Sequence, residues 1–396
     1  MKVLKYIDKF LFFISVVFFL FGLIMIFSSS NIAAFMRYDA NPYYFLLKQL
    51  VNLIVGLVAF LIIINFNTKT YSALSWFGLL ATIGALLFVY FYGSLTNKAR
   101  SWIYLGTFMF QPSELAKVVL IVWFSAFYEF KRNSLNKIFT NLFPLVISAF
   151  ISAFIILQPD FGTAGVVIIL SFLLYLLIPI KKSIKFKVAT ISALVMIIML
   201  MGYYIFNTSS FSRQISRLDF AYPCSQEKFY TTGNQVCNSY IAFNNGSLTG
   251  KGLGNSTQKY LYLAESHTDF IFSIIVEEFG FIGAVLIILL YIILLYKIVS
   301  IGNRSVSSRG AIICYGVAIY IFLHISINLL GIMGWLPLTG IPLPFLSYGG
   351  TFTLCLIIAL SMVQRVAIES KMKNLGTKWF IDNNLFRRLF FYEFIY

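Results

Sequence analysis

Six of the fourteen acidic residues of this chain stand at the ends of long apolar segments. An ionised group at membrane depth is costly, so each of them is a candidate functional residue. A carboxylate so placed could act as a general base, and a neighbouring cation could hold an anionic substrate. The six are Glu114, Asp160, Glu265, Asp269, Glu277 and Glu278.

The first cluster runs from Lys98 to Lys117 and combines cations with a helix start. Pro112 and Ser113 favour the start of a helix, with Glu114 in its first turn. Glu114 and Lys117 are three residues apart and can pair on one helix face. Two interpretations stay open: a structural ion pair, or a site where Lys117 and Arg100 receive an anion while Glu114 holds Lys117.

The second cluster, Gln158–Thr163, places Asp160 between Pro159 and Gly162, which interrupt the helix. Asp160 therefore stands at a turn between two apolar segments. It can cap the helix that begins near Gly162, or it can pair with Lys117 across the bundle.

The third cluster joins a glycine-rich stretch, Gly250–Lys259, to the segment from Glu265 to Phe272. The glycines allow backbone to approach a ligand, but no GxGxxG motif in a βαβ unit is present, which argues against a nucleotide site. Asp269 stands at the start of an apolar segment. It either belongs to a helix N-terminus or acts as a base. His267 is either a general base or an interfacial histidine that hydrogen-bonds to backbone.

The fourth cluster, residues 337–350, contains three prolines and lacks a helical period. Non-helical backbone at membrane depth persists only where protein or a wet cavity surrounds it. We therefore expect a re-entrant loop beside a polar cavity rather than a surface loop. In the preceding segment, His324 is expected to hydrogen-bond between helices.

Composition indicates which elements must position these residues. Hydrophobic residues make up 60% of the chain and charged residues 11%, far from the roughly 45–50% and 25% of soluble domains. The net charge of +16 comes from short basic clusters between apolar runs. This pattern orients membrane proteins, and it gives no support to nucleic-acid binding.

Ten segments are apolar and long enough to span a membrane, so we predict an all-α polytopic membrane protein. The basic residues concentrate on one side, which predicts that both termini are cytoplasmic and that a large loop between the seventh and eighth spans, about 207–268, is extracellular. The acidic residues above then face outward. The first apolar run is too long for a signal peptide. The spans lie near 10–28, 49–66, 71–92, 113–130, 140–157, 162–180, 188–206, 276–296, 310–332 and 351–368.

The predicted organisation is one membrane domain, 1–370, followed by a basic and aromatic cytoplasmic tail, 371–396, which we expect to lie along the inner leaflet. Cys314 and Cys355 lie in apolar runs and are expected in the core. Cys224 and Cys237 lie 13 residues apart in the outward loop, where a disulfide is a hypothesis favoured by the oxidising side.

Several ordered motifs resemble the SEDS family, the RodA/FtsW proteins of bacterial elongation and division. The motifs are KARSWI, QPSELAK, QPDFGTA, GKGLGNSTQK, HTDFIFSIIVEEFG and PLTGIPLPFLSYGG, and the resemblance extends from about residue 10 to 370. GLGNSTQK is more similar to FtsW than to RodA. Ala264-Glu265-Ser266 departs from the family pattern, so the loop there is expected to turn differently.

The resemblance implies a ten-helix peptidoglycan glycosyltransferase that polymerises lipid II, an undecaprenyl-diphosphate-linked disaccharide pentapeptide, outside the bacterial cytoplasmic membrane. It also implies a class B penicillin-binding protein as the transpeptidase partner, together with other divisome or elongasome membrane proteins. The family's essential aspartate matches Asp269, and its polar cavity residues match Glu114, Lys117 and Asp160.

The residues fit this chemistry. Transfer of a sugar from an α-linked diphosphate to a 4-hydroxyl, with one inversion, needs a carboxylate base and cations at the leaving diphosphate. We predict Asp269 as the base, Lys117, Arg100 and Lys259 near the diphosphate, and His267 at the substrate. No metal-ligand motif is present, although a divalent cation, Mg or Mn, stays open. A lipid flippase is the main alternative, and a scaffold protein is the third.

Overall fold

The structure, a computed structural model, describes residues 3–96, 99–105, 108–206, 222–229 and 233–374. Within these ranges ten helices of 17 to 33 residues match the ten predicted spans, and two shorter helices lie between the seventh and eighth. In chain order they are α1 Lys9–Tyr38, α2 Tyr44–Ile63, α3 Thr68–Tyr92, α4 Pro112–Phe130, α5 Ile138–Leu157, α6 Phe161–Leu177, α7 Lys182–Phe206, the short α8 Gln226–Phe229 and α9 Asn234–Gly246, then α10 Ile271–Asn303, α11 Ser308–Ile332 and α12 Gly350–Asn374.

Seven of these helices (α1, α2, α3, α5, α10, α11 and α12) are long and apolar enough to cross a membrane, and α6 is a shorter apolar helix. Helix α4 differs because it carries Glu114, Lys117 and Glu129. The prediction of a mainly helical, polytopic membrane protein is confirmed.

The two ends of the described chain meet at one end of the bundle. The Asp8 backbone amide donates to Gln364 Oε1 at 2.8 Å, and Lys371 Nζ donates to the Ile7 carbonyl at 2.9 Å. This arrangement agrees with the even number of spans predicted. Helix α12 continues through the predicted boundary at 370 as far as Asn374, and residues 375–396 of the predicted tail lie outside the described residues.

One short sheet accompanies the helices and was not predicted. The link between α3 and α4 forms a three-stranded antiparallel sheet, β1 Ser94–Thr96, β2 Ala99–Leu105 and β3 Phe108–Phe110. Two residues separate each pair of strands, which is the shortest common hairpin spacing, and β2 is rich in the aromatic and branched residues that strands prefer.

Helices α4, α11 and α12 carry many of the buried polar groups of the bundle. Helix α12 is buried along most of its length, whereas α2 and α3 expose apolar side chains such as Leu47, Ile54 and Phe77. Since lipid tails solvate the outer helices, the polar residues gather on the helices that protein surrounds.

The described residues of the predicted outer loop contain regular secondary structure. They include α8 and α9, and a disulfide joins Cys224 to Cys237, as hypothesised. Residues 207–221 and 230–232 lie outside the described residues.

Candidate functional site

Helix α4 positions the first half of the site. Pro112 occupies its first turn, and Lys117 Nζ lies 2.7 Å from Glu114 Oε1 one turn along. Both side chains are buried, so the ammonium depends on protein partners to offset its lost hydration. The predicted pair is therefore present as a buried ion pair.

His324 on α11 supplies the second partner of this ammonium. Its Nε2 lies 3.0 Å from Lys117 Nζ, and its Nδ1 lies 3.4 Å from the carbonyl oxygen of Pro342. A carbonyl only accepts, so Nδ1 carries the proton and Nε2 accepts from the lysine. Glu114 and His324 together use two of the three N–H donors of Lys117, which leaves one for a ligand. The expectation that His324 bonds between helices is confirmed.

Asp160 caps α6, as one of the two interpretations predicted. Its Oδ1 accepts from the Thr163 amide at 3.1 Å, and its Oδ2 accepts from Gln111 Nε2 at 3.1 Å. The other interpretation, an ion pair with Lys117, is wrong, since no contact between these two described residues lies within 4.0 Å. Glu114, on the same helix, is the carboxylate that pairs with the Lys117 ammonium. Gln111 thus connects Asp160 to the start of α4.

Asp269 lies two residues before α10, beside the proline-rich loop, residues 337–350. A Cβ added to Gly340 would stand 3.5 Å from Asp269 Oδ2. Asn328 Nδ2 on α11 donates to the Asp269 carbonyl at 2.8 Å and to the Ile341 carbonyl at 2.9 Å. Burial, reinforced by the charge of Glu265, raises the pKa of the Asp269 carboxyl to about 7.

His267 is buried against aromatic rings. Its ring centroid lies 4.2 Å from that of Phe45 and 5.8 Å from that of Tyr348. Burial and then the nearby Arg37 guanidinium lower the pKa of His267 to about 4. Its Nδ1 has no hydrogen-bond partner among the described residues. The imidazole is therefore neutral at pH 7 and a weak base.

The proline-rich loop packs within the protein, as its apolar composition predicted. Ser347 Oγ donates to the Thr268 carbonyl at 2.7 Å, the Tyr348 amide donates to the His267 carbonyl at 2.9 Å, and Tyr291 donates to the Pro344 carbonyl. The other end of the loop reaches α6, where a Cβ on Gly162 would collide with Thr339. The loop therefore runs between the Asp160 and Asp269 sides of the site.

Lys259 belongs to a different cluster. Its Nζ lies 3.1 Å from Glu278 Oε1 and 3.3 Å from Ser28 Oγ, and the side chain is 2% exposed. No described contact joins it to Lys117 or Asp269. Its predicted role at the diphosphate stays a prediction, while its observed contacts secure the glycine-rich loop to α1 and α10.

Hydrogen bonds to Glu277 order the glycine-rich loop. The Glu277 carboxylate accepts from Thr257 Oγ1 at 2.7 Å, the Gln258 amide at 3.1 Å and Lys251 Nζ at 3.1 Å. Gly250 approaches the backbone of α10, since a Cβ there would lie 2.2 Å from the Glu278 carbonyl oxygen. Gly250 therefore allows a close approach to α10, and the approach of this loop to a ligand stays a prediction.

Several buried polar atoms of the site have no protein partner in the described ranges. They include Glu114 Oε2, Ser113 Oγ and Asn328 Oδ1. Buried polar atoms are nearly always hydrogen-bonded, so these atoms can accept or donate a bond to a ligand or to an ordered water. The Arg100 side chain lies outside the described residues. In the part of the chain that the structure describes, no three His, Cys, Asp or Glu side chains converge as metal ligands.

Sequence reasoning gave no role to Gln111 or Asn328 and did not connect His324 to Lys117. A signal was present, because His324 and Asn328 lie four residues apart in an apolar segment and hence on one helix face. Their partners lie far away along the chain, and only the folded structure shows them.

Residues 8–372 match the sequence model of the FtsW/RodA/SpoVE family, described as a cell cycle protein. The probable peptidoglycan glycosyltransferase FtsW of Bacillus subtilis is 31% identical over 379 residues, which cover 93% of this chain and 93% of that protein. The protein of the same name from Haemophilus ducreyi is 32% identical over 359 residues, with 90% of this chain and 88% of that protein covered.

Two solved structures share the fold. A chain of the structure described as "Structural coordination of polymerization and crosslinking by a peptidoglycan synthase complex" has a TM-score of 0.71 at 22% identity, with 91% of this chain and 97% of that chain covered. The rod shape determining protein RodA of Thermus thermophilus has a TM-score of 0.63 at 22% identity and coverages of 91% and 96%. At such identity the likeness shows the helical architecture alone.

Proposed function

The chain belongs to the FtsW/RodA/SpoVE family of cell cycle proteins, and on that basis we propose that it is a peptidoglycan glycosyltransferase of the bacterial cytoplasmic membrane. Its substrate is lipid II, which it polymerises into glycan strands on the outer face during cell division or elongation. The names of the FtsW relatives support this activity, and they favour division.

The observation that carries the proposal is the setting of Asp269. Its partly buried carboxylate has a pKa raised to about 7 and lies against the proline-rich loop, whose Ile341 and Pro342 carbonyls contact Asn328 and His324, the latter a partner of the buried Lys117. A base whose pKa lies near the working pH combines a large ionised fraction with a strong drive for proton transfer.

The reaction is a single inverting displacement. Asp269 takes the proton of the acceptor 4-hydroxyl as that oxygen forms a bond to the anomeric carbon of the donor sugar. The bond from this carbon to the diphosphate oxygen breaks, and the diphosphate lipid leaves with the electron pair. The configuration changes from α to β.

We assign the leaving diphosphate first to Lys117. Its third N–H donor is free of Glu114 and His324, and a charged donor in a dry site stabilises developing negative charge. Glu114 holds the ammonium, and Asp160 orders Gln111 at the start of α4. Arg100 and Lys259 stay predicted contributors, and His267 a predicted substrate contact.

Among the described residues, no group of three or more His, Cys, Asp or Glu side chains could hold a metal ion. A divalent cation, Mg or Mn, bound with the substrate diphosphate stays a prediction, and we derive no step through it. Activity that survives exhaustive chelation would show that the protein groups suffice.

The partner proposed is a class B penicillin-binding protein, which would crosslink the new strand, together with other divisome or elongasome membrane proteins. Support comes from the fold shared with a chain of a peptidoglycan synthase complex that coordinates polymerization and crosslinking.

The alternative, a flippase of the lipid-linked precursor, is less well supported. A flippase needs polar groups along the whole path across the membrane. Below Lys117, residues 118–128 of α4 contain no charged side chain, and the ion pairs Arg309–Glu129 and Lys297–Asp8 lie at the opposite end from the site.

The test is a gel assay of lipid II polymerisation by the chain in complex with its partner, with an inhibitor of established transglycosylases present. We expect glycan strands from the wild type and a rate about 10²–10⁴-fold lower for Asp269→Asn, which removes the base but keeps the shape. Polymerisation by Asp269→Asn at the wild-type rate would refute the assignment. Translocation of lipid II across vesicles without polymerisation would favour the flippase.

A further inference from the structure

Two side chains of α11 hold the part of the proline-rich loop that lies against Asp269. Within the described residues, the hydrogen bonds of residues 337–342 are those to Asn328, through the Ile341 carbonyl, and to His324, through the Pro342 carbonyl. The later part of the loop has other anchors, at Thr268, His267 and Gln49. The segment beside the carboxylate thus depends on α11.

The same two side chains also bind the functional residues. Asn328 donates its second amide hydrogen to the Asp269 carbonyl, and His324 accepts from the Lys117 ammonium. Both partners of the Asn328 amide are carbonyl oxygens, so its orientation is fixed by chemistry. His324 is held further by Phe352, whose ring stacks on it at 4.7 Å.

The spacing of His324 and Asn328 along α11 places the two side chains together. Residues four apart lie on one face, one turn from each other, so the two side chains form a rigid pair on a buried helix. If these two positions served only to pack α11, apolar side chains would suffice. Burying a polar side chain costs free energy unless its donors are hydrogen-bonded. Here Asn328 donates to the Asp269 carbonyl and His324 accepts from Lys117, the two residues on which the reaction depends.

We infer that Asn328 and His324 are positioning residues: Asn328 fixes Asp269, and His324 fixes Lys117, each against the proline-rich loop. One helix thereby sets the separation of base and cation. This inference rests on the proposed function for its catalytic meaning, but the contact it describes can be measured without turnover.

The test uses four variants in complex with the partner protein. Asn328→Asp keeps the shape and loses the donors, and Asn328→Leu removes all polarity. His324→Leu removes both contacts, whereas His324→Gln can still accept from Lys117 and donate to Pro342. Phe322→Leu is the matched control, because Phe322 lies on the same helix and is exposed on its outer face.

Hydrogen–deuterium exchange gives the first readout. We expect faster exchange in both Asn328 variants at two hydrogen-bonded amides near the carbonyls that Asn328 holds: Phe270 N, which donates to the Glu265 carbonyl, and Leu343 N, which donates to Ser347 Oγ. Exchange in Phe322→Leu should match that of wild type. This result is independent of activity. If wild type failed to polymerise lipid II, the proposed function would fail while the exchange data still decided the contact.

Steady-state kinetics give the second readout. We expect kcat to fall about ten-fold or more in both Asn328 variants with KM changed less than about three-fold, since a misplaced base slows chemistry without weakening binding. His324→Leu should raise KM more than it lowers kcat, and His324→Gln should restore values to within about three-fold of wild type.

Two outcomes would overturn the inference. One is exchange and kinetics in the Asn328 variants that match those of Phe322→Leu. The other is that kcat and kcat/KM fall equally in every Asn328 and His324 variant, in proportion to the fraction of protein that is no longer folded. That result would show a purely structural role.

Discussion

At the scale of single residues, the site contains two candidate bases that lie two positions apart. His267 is buried against Phe45 with a pKa of about 4, so its imidazole attracts protons weakly at neutral pH. Asp269 has a pKa of about 7 because burial and the Glu265 charge disfavour its anion. Only Asp269 has the balance of basicity and ionisation that general-base catalysis needs near neutrality.

This difference predicts a pH profile. The active form of Asp269 is ionised, so the rate should rise with pH through about 7 and then level off. Glu265→Gln removes a like charge that raises the Asp269 pKa, so its profile should shift to lower pH. Glu265→Asp retains the charge and serves as the control. Initial rates of lipid II polymerisation over about pH 5.5–8.5 measure both. An unchanged midpoint in Glu265→Gln would contradict the assignment.

At the scale of elements, the helical backbone of α10 is interrupted at Gly280, and this interruption connects the helix to the outer loop. Gly280 has φ 69° and ψ −173°, outside the helical region. The glycine-rich loop takes up the backbone groups on both sides: Phe281 N donates to the Ser247 carbonyl at 2.9 Å, and Gly252 N donates to the Glu278 carbonyl at 2.9 Å. The half of α10 that follows Asp269 is therefore fixed to the outer loop by backbone hydrogen bonds, and Glu277 and Glu278 add side-chain bonds at the same place.

The break predicts that Gly280→Ala destabilises the protein. A side chain at this positive φ costs about 1–3 kcal/mol, and its Cβ would lie 2.4 Å from the Gly250 nitrogen. Gly84→Ala is the control: Gly84 lies within α3, no atom would meet its Cβ, and alanine there should be neutral or stabilising by about 0.5–1 kcal/mol. Thermal unfolding in detergent compares the two. Equal midpoints for both variants would be inconsistent with a strained break.

The disulfide predicts a specific thiol count. Denatured but unreduced protein should take up alkyl groups at the two free cysteines, Cys314 and Cys355, and at all four only after reduction. A Cys224→Ser/Cys237→Ser double variant should lose up to about 3 kcal/mol of local stability, because the cross-link shortens the loop. Faster proteolysis near α9 measures this loss. Four alkylated cysteines without reduction would disprove the bond.

At the scale of the whole molecule, ionisable groups occupy the two ends of the bundle and serve different purposes. At one end, the ion pairs are Lys297–Asp8 between α10 and the start of α1, Arg309–Glu129 between α11 and α4, and Arg365–Glu369 within α12. At the other end, Lys117–Glu114 and Asp269 form the site. The apolar layer between them suits a membrane support with chemistry on one face.

Sidedness follows from this arrangement and can be measured. A cysteine in place of Leu248, an exposed residue of the outer loop, should react with a membrane-impermeant maleimide in intact spheroplasts. A cysteine in place of Arg132, in the link after α4, should react only after lysis. The native cysteines give little background, because two are buried and two are bonded. The reverse labelling pattern would overturn the orientation.

The sequence by itself determined the membrane class, the positions of the ten long helices and the family, and it singled out Glu114, Lys117, Asp160 and Asp269 as candidates. Apolar length, charge bias and ordered motifs are local properties that the chain displays without folding. The sheet at 94–110 was missed because short strands in a link give a weak pattern.

Only the tertiary structure decided which of these residues meet. Lys117 reaches His324 across 207 positions, Asn328 reaches Asp269 across 59, and Lys259 turns away to Glu278. Such contacts depend on how buried helices pack, and a polar residue in an apolar segment reveals that it needs a partner without revealing which one. The site is therefore a property of α4, α11 and the proline-rich loop together.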